Sequence, residues 1–192
     1  GLNKIPTSVG TISDCVEHAF NPNLCQGEVS PLKAKSQPQH ASSKTYQSGS
    51  FSSTGSGLNS QEDWVVEGIA MVTDVPITYL GYVNRDTGVI EETGHPLDGR
   101  SIEDTVLIYP KGSGSTVAPY VLMGLIYTDK GPKAIVNRDV CSLTLPACSL
   151  LNVPYSHGFE EDPCIGVNDG DLVKVSKISD EVTIEILKRV DD

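Results

Sequence analysis

Residues 106–125 read VLIYPKGSGSTVAPYVLMGL and combine a buried-looking strand, a glycine loop and an apolar helix. Gly112 and Gly114 allow tight backbone angles, and Ser115 or Thr116 occupies the position where a helix N-cap belongs. Free amides at a helix start favour an anion, so the loop is a candidate site for a carboxylate or a phosphate. A capped helix after a flexible turn explains the same spacing, and both interpretations stay open. A Walker loop is excluded, because GxxxxGK[ST] is absent.

Strands and short helices alternate on both sides of this stretch. β-Branched and aromatic runs predict strands at residues 64–73, 77–83, 105–110, 133–137, 153–156, 171–176 and 181–187. Apolar stretches predict helices at residues 117–129 and 145–152. The last two strands read as a hairpin that turns at residues 178–180. This order predicts a compact α/β domain with a β-rich shell.

The first 63 residues differ sharply in composition. Residues 36–61 hold nine Ser in 26 positions and almost no aliphatic side chain. Such a segment buries too little apolar surface to offset its ordering entropy, so it is expected to be flexible. Residues 1–35 contain one predicted short helix, TISDCVEHAF, with too few apolar residues for a core. The predicted organisation is a tail over 1–35, a linker over 36–63 and a globular domain over 64–192.

Charge and cysteine usage narrow the class of protein. The 192-residue chain has a formal net charge of −11, which argues against a nucleic-acid partner. No apolar run is long enough to span a bilayer, so no membrane partner is expected. The chain starts at Gly1 without the pattern of a secretory leader, which suggests a processed chain or a fragment. The five Cys are widely spaced and match no zinc pattern, so we expect core thiols in a reducing, cytoplasmic setting.

Few other side chains are candidates for chemistry. Ser115 is a candidate reactive hydroxyl, but the G-x-S-x-G elbow of Ser-His-Asp hydrolases is absent. His95 is interpreted as a loop residue that satisfies backbone groups. Residues 137–139, Asn-Arg-Asp, follow a buried strand where α/β domains often place functional groups, although a polar turn explains them better. With one candidate anion loop and no metal constellation, the domain resembles one that completes a site built elsewhere.

Two motifs in order indicate a family. Residues 95–102 form an HPL-x-G-x-SI run, and residues 112–116 follow it as GSGST. This region, from Val66 to about Leu187, closely resembles the small swivelling domain of the aconitase X family. The resemblance implies a swivelling β/β/α fold that closes over the active site of a larger catalytic domain. Family members are hydro-lyases, which dehydrate cis-3-hydroxy-L-proline to pyrroline-2-carboxylate or dehydrate phosphomevalonate.

The resemblance also implies roles for individual residues. Ser115 maps onto the serine that abstracts the substrate proton in the wider aconitase superfamily. The neighbouring loop residues would contact a small carboxylate substrate; they are Gly112, Ser113, Gly114 and Thr116. Val117 stands where that superfamily has a substrate-gripping Arg. The family's iron or iron–sulfur cluster is held by cysteines of the large domain, so no metal ligand is expected in this domain.

The resemblance extends to the partner and the substrate. Residues 9–20 look like the closing segment of the large domain, which implies a fused polypeptide with the Ser-rich stretch between its parts. Fusion is typical of the hydroxyproline branch, so cis-3-hydroxy-L-proline is the favoured substrate. One alternative is the small subunit of a phosphomevalonate dehydratase. Another is a non-catalytic module for anion binding or assembly, because the domain has no local acid/base pair.

Overall fold

The computed structural model describes residues 51–190, which form a seven-stranded closed barrel with four helices. The strands are β1 Ser52–Gly57, β2 Trp64–Val72, β3 Val106–Tyr109, β4 Ala134–Asn137, β5 Tyr155–His157, β6 Leu172–Ile178 and β7 Glu181–Lys188. The helices are α1 Tyr79–Tyr82, α2 Ala118–Tyr127, α3 Leu145–Leu151 and α4 Pro163–Gly166. In the described part of the chain, no helix is long and apolar enough to cross a membrane.

The barrel has a parallel half and an antiparallel half. Its strand order is β1-β5-β4-β3-β2-β6-β7, and β2, β3, β4 and β5 run parallel to one another. Strands β6, β7 and β1 complete the barrel through antiparallel pairs. All four side chains of β3 and all four of β4 are buried, as expected for central parallel strands covered on both faces.

Two apolar clusters fill the two faces of the parallel strands. Val106 and Ile108 of β3 pack inside the barrel with residues of β2, β4, β6 and β7. Leu107 and Tyr109, which point to the opposite face, pack with Val121 and other residues of α2. Side chains alternate between the faces with the period of two that a strand imposes. Helices α1, α2 and α3, which contribute Tyr79, Val121 and Cys148 to the same cluster, therefore cover the outside of the parallel half.

Most predicted elements are confirmed, including the α/β class, the strand–loop–helix unit and the final hairpin. The predicted strand at residues 77–83 is wrong. There the chain makes isolated bridges at Ile77 and Val83, with the short helical turn α1 between them. Gly81 has φ +90°, a left-handed conformation that interrupts an extended strand. Ile77, Tyr79 and Val83 are buried by packing, whereas Tyr82 is 45% exposed.

The predicted linker over residues 36–63 also needs correction. Strand β1 lies inside it, pairs with both β5 and β7, and closes the barrel, so the domain begins before Trp64. Backbone hydrogen bonds to distant strands order this stretch, which composition cannot reveal. A Cβ on Gly55 would lie 2.8 Å from the carbonyl oxygen of His157, so the small side chains of β1 permit close strand packing. The predicted tail, its helix and residues 36–50 lie outside the described residues.

Candidate active site

The glycine loop lies at the carboxyl edge of the parallel strands. It occupies residues 111–117, between the end of β3 and the start of α2. Strands β2, β4 and β5 end at the same edge because they run parallel to β3. Ligand sites of open α/β sheets occur at this edge, where loops from several strands converge.

One side of the loop is held by the segment that follows β2. The Ile77 amide donates to the carbonyl oxygen of Lys111 at 3.3 Å, and the Ser113 amide donates to the carbonyl oxygen of Ile77 at 2.9 Å. The hydroxyls of Thr78 and Ser113 form a hydrogen bond of 2.6 Å. These bonds order the first half of the loop.

The other side is held by the connection between β4 and α3. The Gly112 amide donates to the sulfur of Cys141 at 3.1 Å. A Cβ on Gly112 would lie 3.3 Å from both the Cys141 sulfur and the Thr144 hydroxyl oxygen. These distances are tighter than ordinary van der Waals contact, so a larger residue at this position would push Cys141 or Thr144 away by a few tenths of an ångström.

A buried chain of hydroxyl groups ends at Thr144, beside Gly112 of the loop. The Tyr79 and Tyr109 hydroxyls are 2.8 Å apart, and the Tyr109 hydroxyl is 3.0 Å from that of Thr144. All three residues are fully buried. Burial raises the pKa of both tyrosines well above the usual value, so they stay neutral and serve as hydrogen-bonding groups.

Ser115, the predicted base, lies at the exposed tip of the loop. Its hydroxyl oxygen accepts from the Val117 amide at 3.3 Å, and its carbonyl oxygen accepts from the Ala118 amide at 2.9 Å. The prediction of Ser115 or Thr116 as N-cap is wrong: Val117 caps α2 without a side-chain bond. The turn before Pro119 delays the helix start, which leaves the Ser115 side chain outside the helix and accessible.

The tip of the loop presents backbone donors. Within residues 51–190, the amides of Gly114, Ser115 and Thr116 have no hydrogen-bond acceptor. Gly114 has φ +95°, a backbone conformation that glycine adopts more readily than other residues. The three amides follow one another along the chain. Thr116 is exposed beside them. The loop therefore combines one accessible hydroxyl with three amides available to an anion.

The cationic side chains near this edge differ in availability. Arg138 follows β4 and forms an ion pair with Asp162, and Arg100 forms one with Asp169. Lys111 is exposed, and its ammonium group has no partner among the residues that the structure describes. Lys111 is therefore the cationic group at the loop that is available for a ligand.

The remaining candidates have structural contacts. The amide of buried Asn137 donates to the carbonyl oxygen of Tyr109, and the Asp139 backbone donates to Pro110, so residues 137–139 form the polar turn. The ring nitrogen Nδ1 of His95 accepts from the Leu97 amide at 3.1 Å, which agrees with its interpretation as a loop residue.

Sequence reasoning missed the residues that hold the loop. Thr78, Cys141 and Thr144 lie about 30 positions from it, and no local pattern connects them to it. Cys141 and Cys148 are buried thiols, as expected. In the described part of the chain, no group of three or more His, Cys, Asp or Glu is arranged to hold a metal ion. The resemblance assigns the family's iron or iron–sulfur cluster to the large domain and not to these residues.

Comparison with known proteins gives consistent matches. A family model described as "Aconitase X swivel domain" matches residues 59–186. The phosphomevalonate dehydratase small subunit of Methanosarcina mazei is 36% identical over 123 residues, 64% of this chain and 84% of that protein. The same subunit of Methanosarcina acetivorans is 34% identical over 122 residues, 64% and 83% of the two chains. The crystal structure of Thermococcus kodakaraensis aconitase X (holo-form) has a TM-score of 0.61 and 28% identity, covering 69% of this chain and 97% of that chain.

The fold is an α/β barrel domain with an exposed glycine loop at the carboxyl edge of its parallel strands. The chain belongs to the aconitase X swivel domain family. The predicted swivel fold is thereby confirmed. The prediction that the chain is part of a hydro-lyase is confirmed by the family and by relatives named as dehydratase subunits.

Proposed function

We propose that this chain supplies the proton-abstracting serine, Ser115, to a hydro-lyase whose remaining catalytic groups lie on a large partner domain or subunit. The observation that carries this proposal is the contrast between the two loop serines. Ser113 is bonded to Thr78, whereas the Ser115 hydroxyl is exposed beside three amides that lack acceptors within residues 51–190. The names of the relatives as small subunits support a large partner.

The chemistry assigned to the loop is an elimination from a small 3-hydroxy acid. Ser115 takes the proton from the carbon next to the carboxylate, and the released electron pair forms a carbon–carbon double bond. The hydroxyl leaves the neighbouring carbon as water after it gains a proton from a group of the catalytic part. An iron centre held by that part would activate the leaving hydroxyl.

A serine hydroxyl is a weak base at its ordinary pKa. The Gly114, Ser115 and Thr116 amides, together with the start of α2, favour negative charge at the tip of the loop. Closure of the domain over the catalytic part would exclude water, which strengthens these interactions. Gly112 anchors the start of the loop through its hydrogen bond to Cys141. The Thr116 amide is assigned the role of binding the substrate carboxylate.

We propose phosphomevalonate as the substrate. Two features support it: the curated relatives are named for phosphomevalonate dehydratase, and Lys111 offers a cation near the loop. cis-3-Hydroxy-L-proline is the second candidate, supported by the resemblance of residues 9–20 to the end of a large catalytic domain. Both compounds lose the proton next to a carboxylate and the 3-hydroxyl, so Ser115 has the same role with either. A cytoplasmic location stays a prediction.

The test measures turnover of both compounds by the full chain assembled with its iron-loaded catalytic partner. Ser115→Ala is expected to lower kcat about 10²–10⁴-fold, the usual loss for a general base. Ser113→Ala is the matched control and should cost about tenfold or less, because it removes one neutral hydrogen bond. A Ser115→Ala enzyme with near-normal kcat would contradict the assignment of the base. Turnover of cis-3-hydroxy-L-proline without turnover of phosphomevalonate would decide for the second substrate.

A further inference from the structure

Thr78 contacts the two residues that precede Ser115. Its hydroxyl is 2.6 Å from that of Ser113. A Cβ on Gly114 would lie 3.0 Å from the Thr78 methyl carbon, so this methyl group packs against the backbone of Gly114. Thr78 precedes α1 at the N-cap position, but its side chain makes no capping bond there. Its hydroxyl is therefore directed to the loop rather than to its own helix.

Thr78 is itself attached to the rigid core. The side chains on both sides of it, Ile77 and Tyr79, are 1% and 0% exposed. Ile77 bonds to the loop backbone on either side of Gly112, through Lys111 and Ser113. The Tyr79 hydroxyl belongs to the buried chain described above. Thr78 thus connects the buried core to the exposed tip of the loop.

We infer that Thr78 is a positioning residue that fixes Ser113 and Gly114, and through them the direction of the Ser115 hydroxyl. This inference rests on the proposed function, because it assigns Thr78 a catalytic effect only through Ser115. Thr78 does not touch the reacting atoms. We expect loss of the Thr78 contact to lower kcat, because a displaced base slows proton transfer. The substrate contacts made by the partner domain remain.

Two variants separate the two contacts of Thr78. Thr78→Val keeps the shape of the side chain and removes its hydroxyl, whereas Thr78→Ser keeps the hydroxyl and removes the methyl group. Backbone ¹⁵N relaxation of the full 192-residue chain measures the order of the loop without any enzyme assay. We expect order parameters at Gly114 and Ser115 to fall from about 0.85 to below about 0.6 in Thr78→Val, with the melting temperature unchanged. Thr78→Ser should stay near the parent value.

The assembled enzyme tests the consequence for catalysis. Thr78→Val should lower kcat about two- to tenfold with KM unchanged, as for the loss of one neutral hydrogen bond, and Thr78→Ser should restore most of it. The double variant with Ser113→Ala should be no slower than the slower single variant, because both changes remove the same bond. Additive losses, or a loop as ordered in Thr78→Val as in the parent, would overturn the inference.

These outcomes are distinguishable from failure of the proposed function. If Ser115→Ala keeps normal turnover, Ser115 is not the base, whatever the Thr78 variants do. The relaxation experiment needs neither substrate nor partner, so it tests the contact between Thr78 and the loop in that case as well. A loop loosened in Thr78→Val together with an unchanged kcat would overturn the catalytic part of the inference.

Discussion

At the scale of single residues, the charge of Lys111 separates the two candidate substrates. The guanidinium groups of Arg100 and Arg138 are neutralised by Asp169 and Asp162, whereas Lys111 has no partner within residues 51–190. A phosphate group carries more negative charge than a carboxylate and gains more from a nearby cation. cis-3-Hydroxy-L-proline has no phosphate for Lys111 to bind.

We therefore expect Lys111→Met to raise KM for phosphomevalonate about tenfold or more, with kcat little changed, as for the loss of a charged hydrogen bond. Lys188→Met is the matched control. Lys188 is also exposed and without a partner in the described region, but it lies at the end of β7, three strands from β3 in the barrel. Steady-state kinetics of the assembled enzyme measure both variants. Equal effects of the two substitutions would show that only net charge matters and would count against a contact at Lys111.

At the scale of secondary structure, β1 shows how a polar segment becomes part of a barrel. Its sequence, SSTGSG, has no large side chain, and its backbone pairs with two strands from the far end of the chain. The apolar anchor is Phe51, which immediately precedes the strand and is 7% exposed in the barrel core. A Cβ on Gly166 would lie 2.0 Å from the Phe51 ring, so this ring packs directly on the backbone of α4.

Phe51→Ala is expected to lower the free energy of unfolding by about 3–5 kcal/mol, as for other buried aromatic truncations. Tyr127→Ala provides the comparison, because Tyr127 is 76% exposed and its removal should change stability by about 0.5 kcal/mol or less. Urea unfolding followed by circular dichroism measures both. A loss below about 1 kcal/mol for Phe51→Ala would mean that closure by β1 contributes little to the stability of the domain.

At the scale of the whole molecule, the apolar cluster between the parallel strands and the helices contains buried ionisable groups that make the free energy of unfolding depend on pH in the alkaline range. Burial raises the pKa of the Cys148 thiol to about 12 and that of Tyr155 above its usual value. An unfolded thiol loses its proton near pH 9, whereas the folded protein keeps it. Between pH 9 and 12 the folded state therefore binds more protons, and stability falls as pH rises. Below pH 9 both states carry the proton, and Cys148 has no effect on the pH dependence.

Urea unfolding at pH 7, 9 and 10 tests this pH dependence. We expect the parent chain to lose about 1 kcal/mol of stability between pH 9 and pH 10 from Cys148 alone. Cys148→Ala should remove that part of the slope while lowering stability at pH 7 through the lost sulfur. An identical slope in Cys148→Ala between pH 9 and 10 would contradict a buried, protonated thiol.

Features that depend on local pattern were predictable from the amino-acid sequence. Apolar runs such as residues 106–109 must be buried wherever they lie, so β3, β4 and the hairpin of β6 and β7 were predictable. The glycine loop and Ser115 were recognisable because a tight turn between a strand and a helix requires small residues in sequence order. The order of the motifs along the chain also indicates the family.

Only the tertiary structure decided which distant segments meet. The composition of β1 predicts a linker, because the hydrogen bonds that hold it run to β5 and β7, more than 90 positions away, and its own side chains are small. The apolar and aromatic residues of 77–83 predict a strand, because a sequence pattern indicates burial but not the backbone conformation that buries it. Thr78 and Cys141 hold the loop through contacts that arise only when the chain folds, and no local periodicity records such contacts.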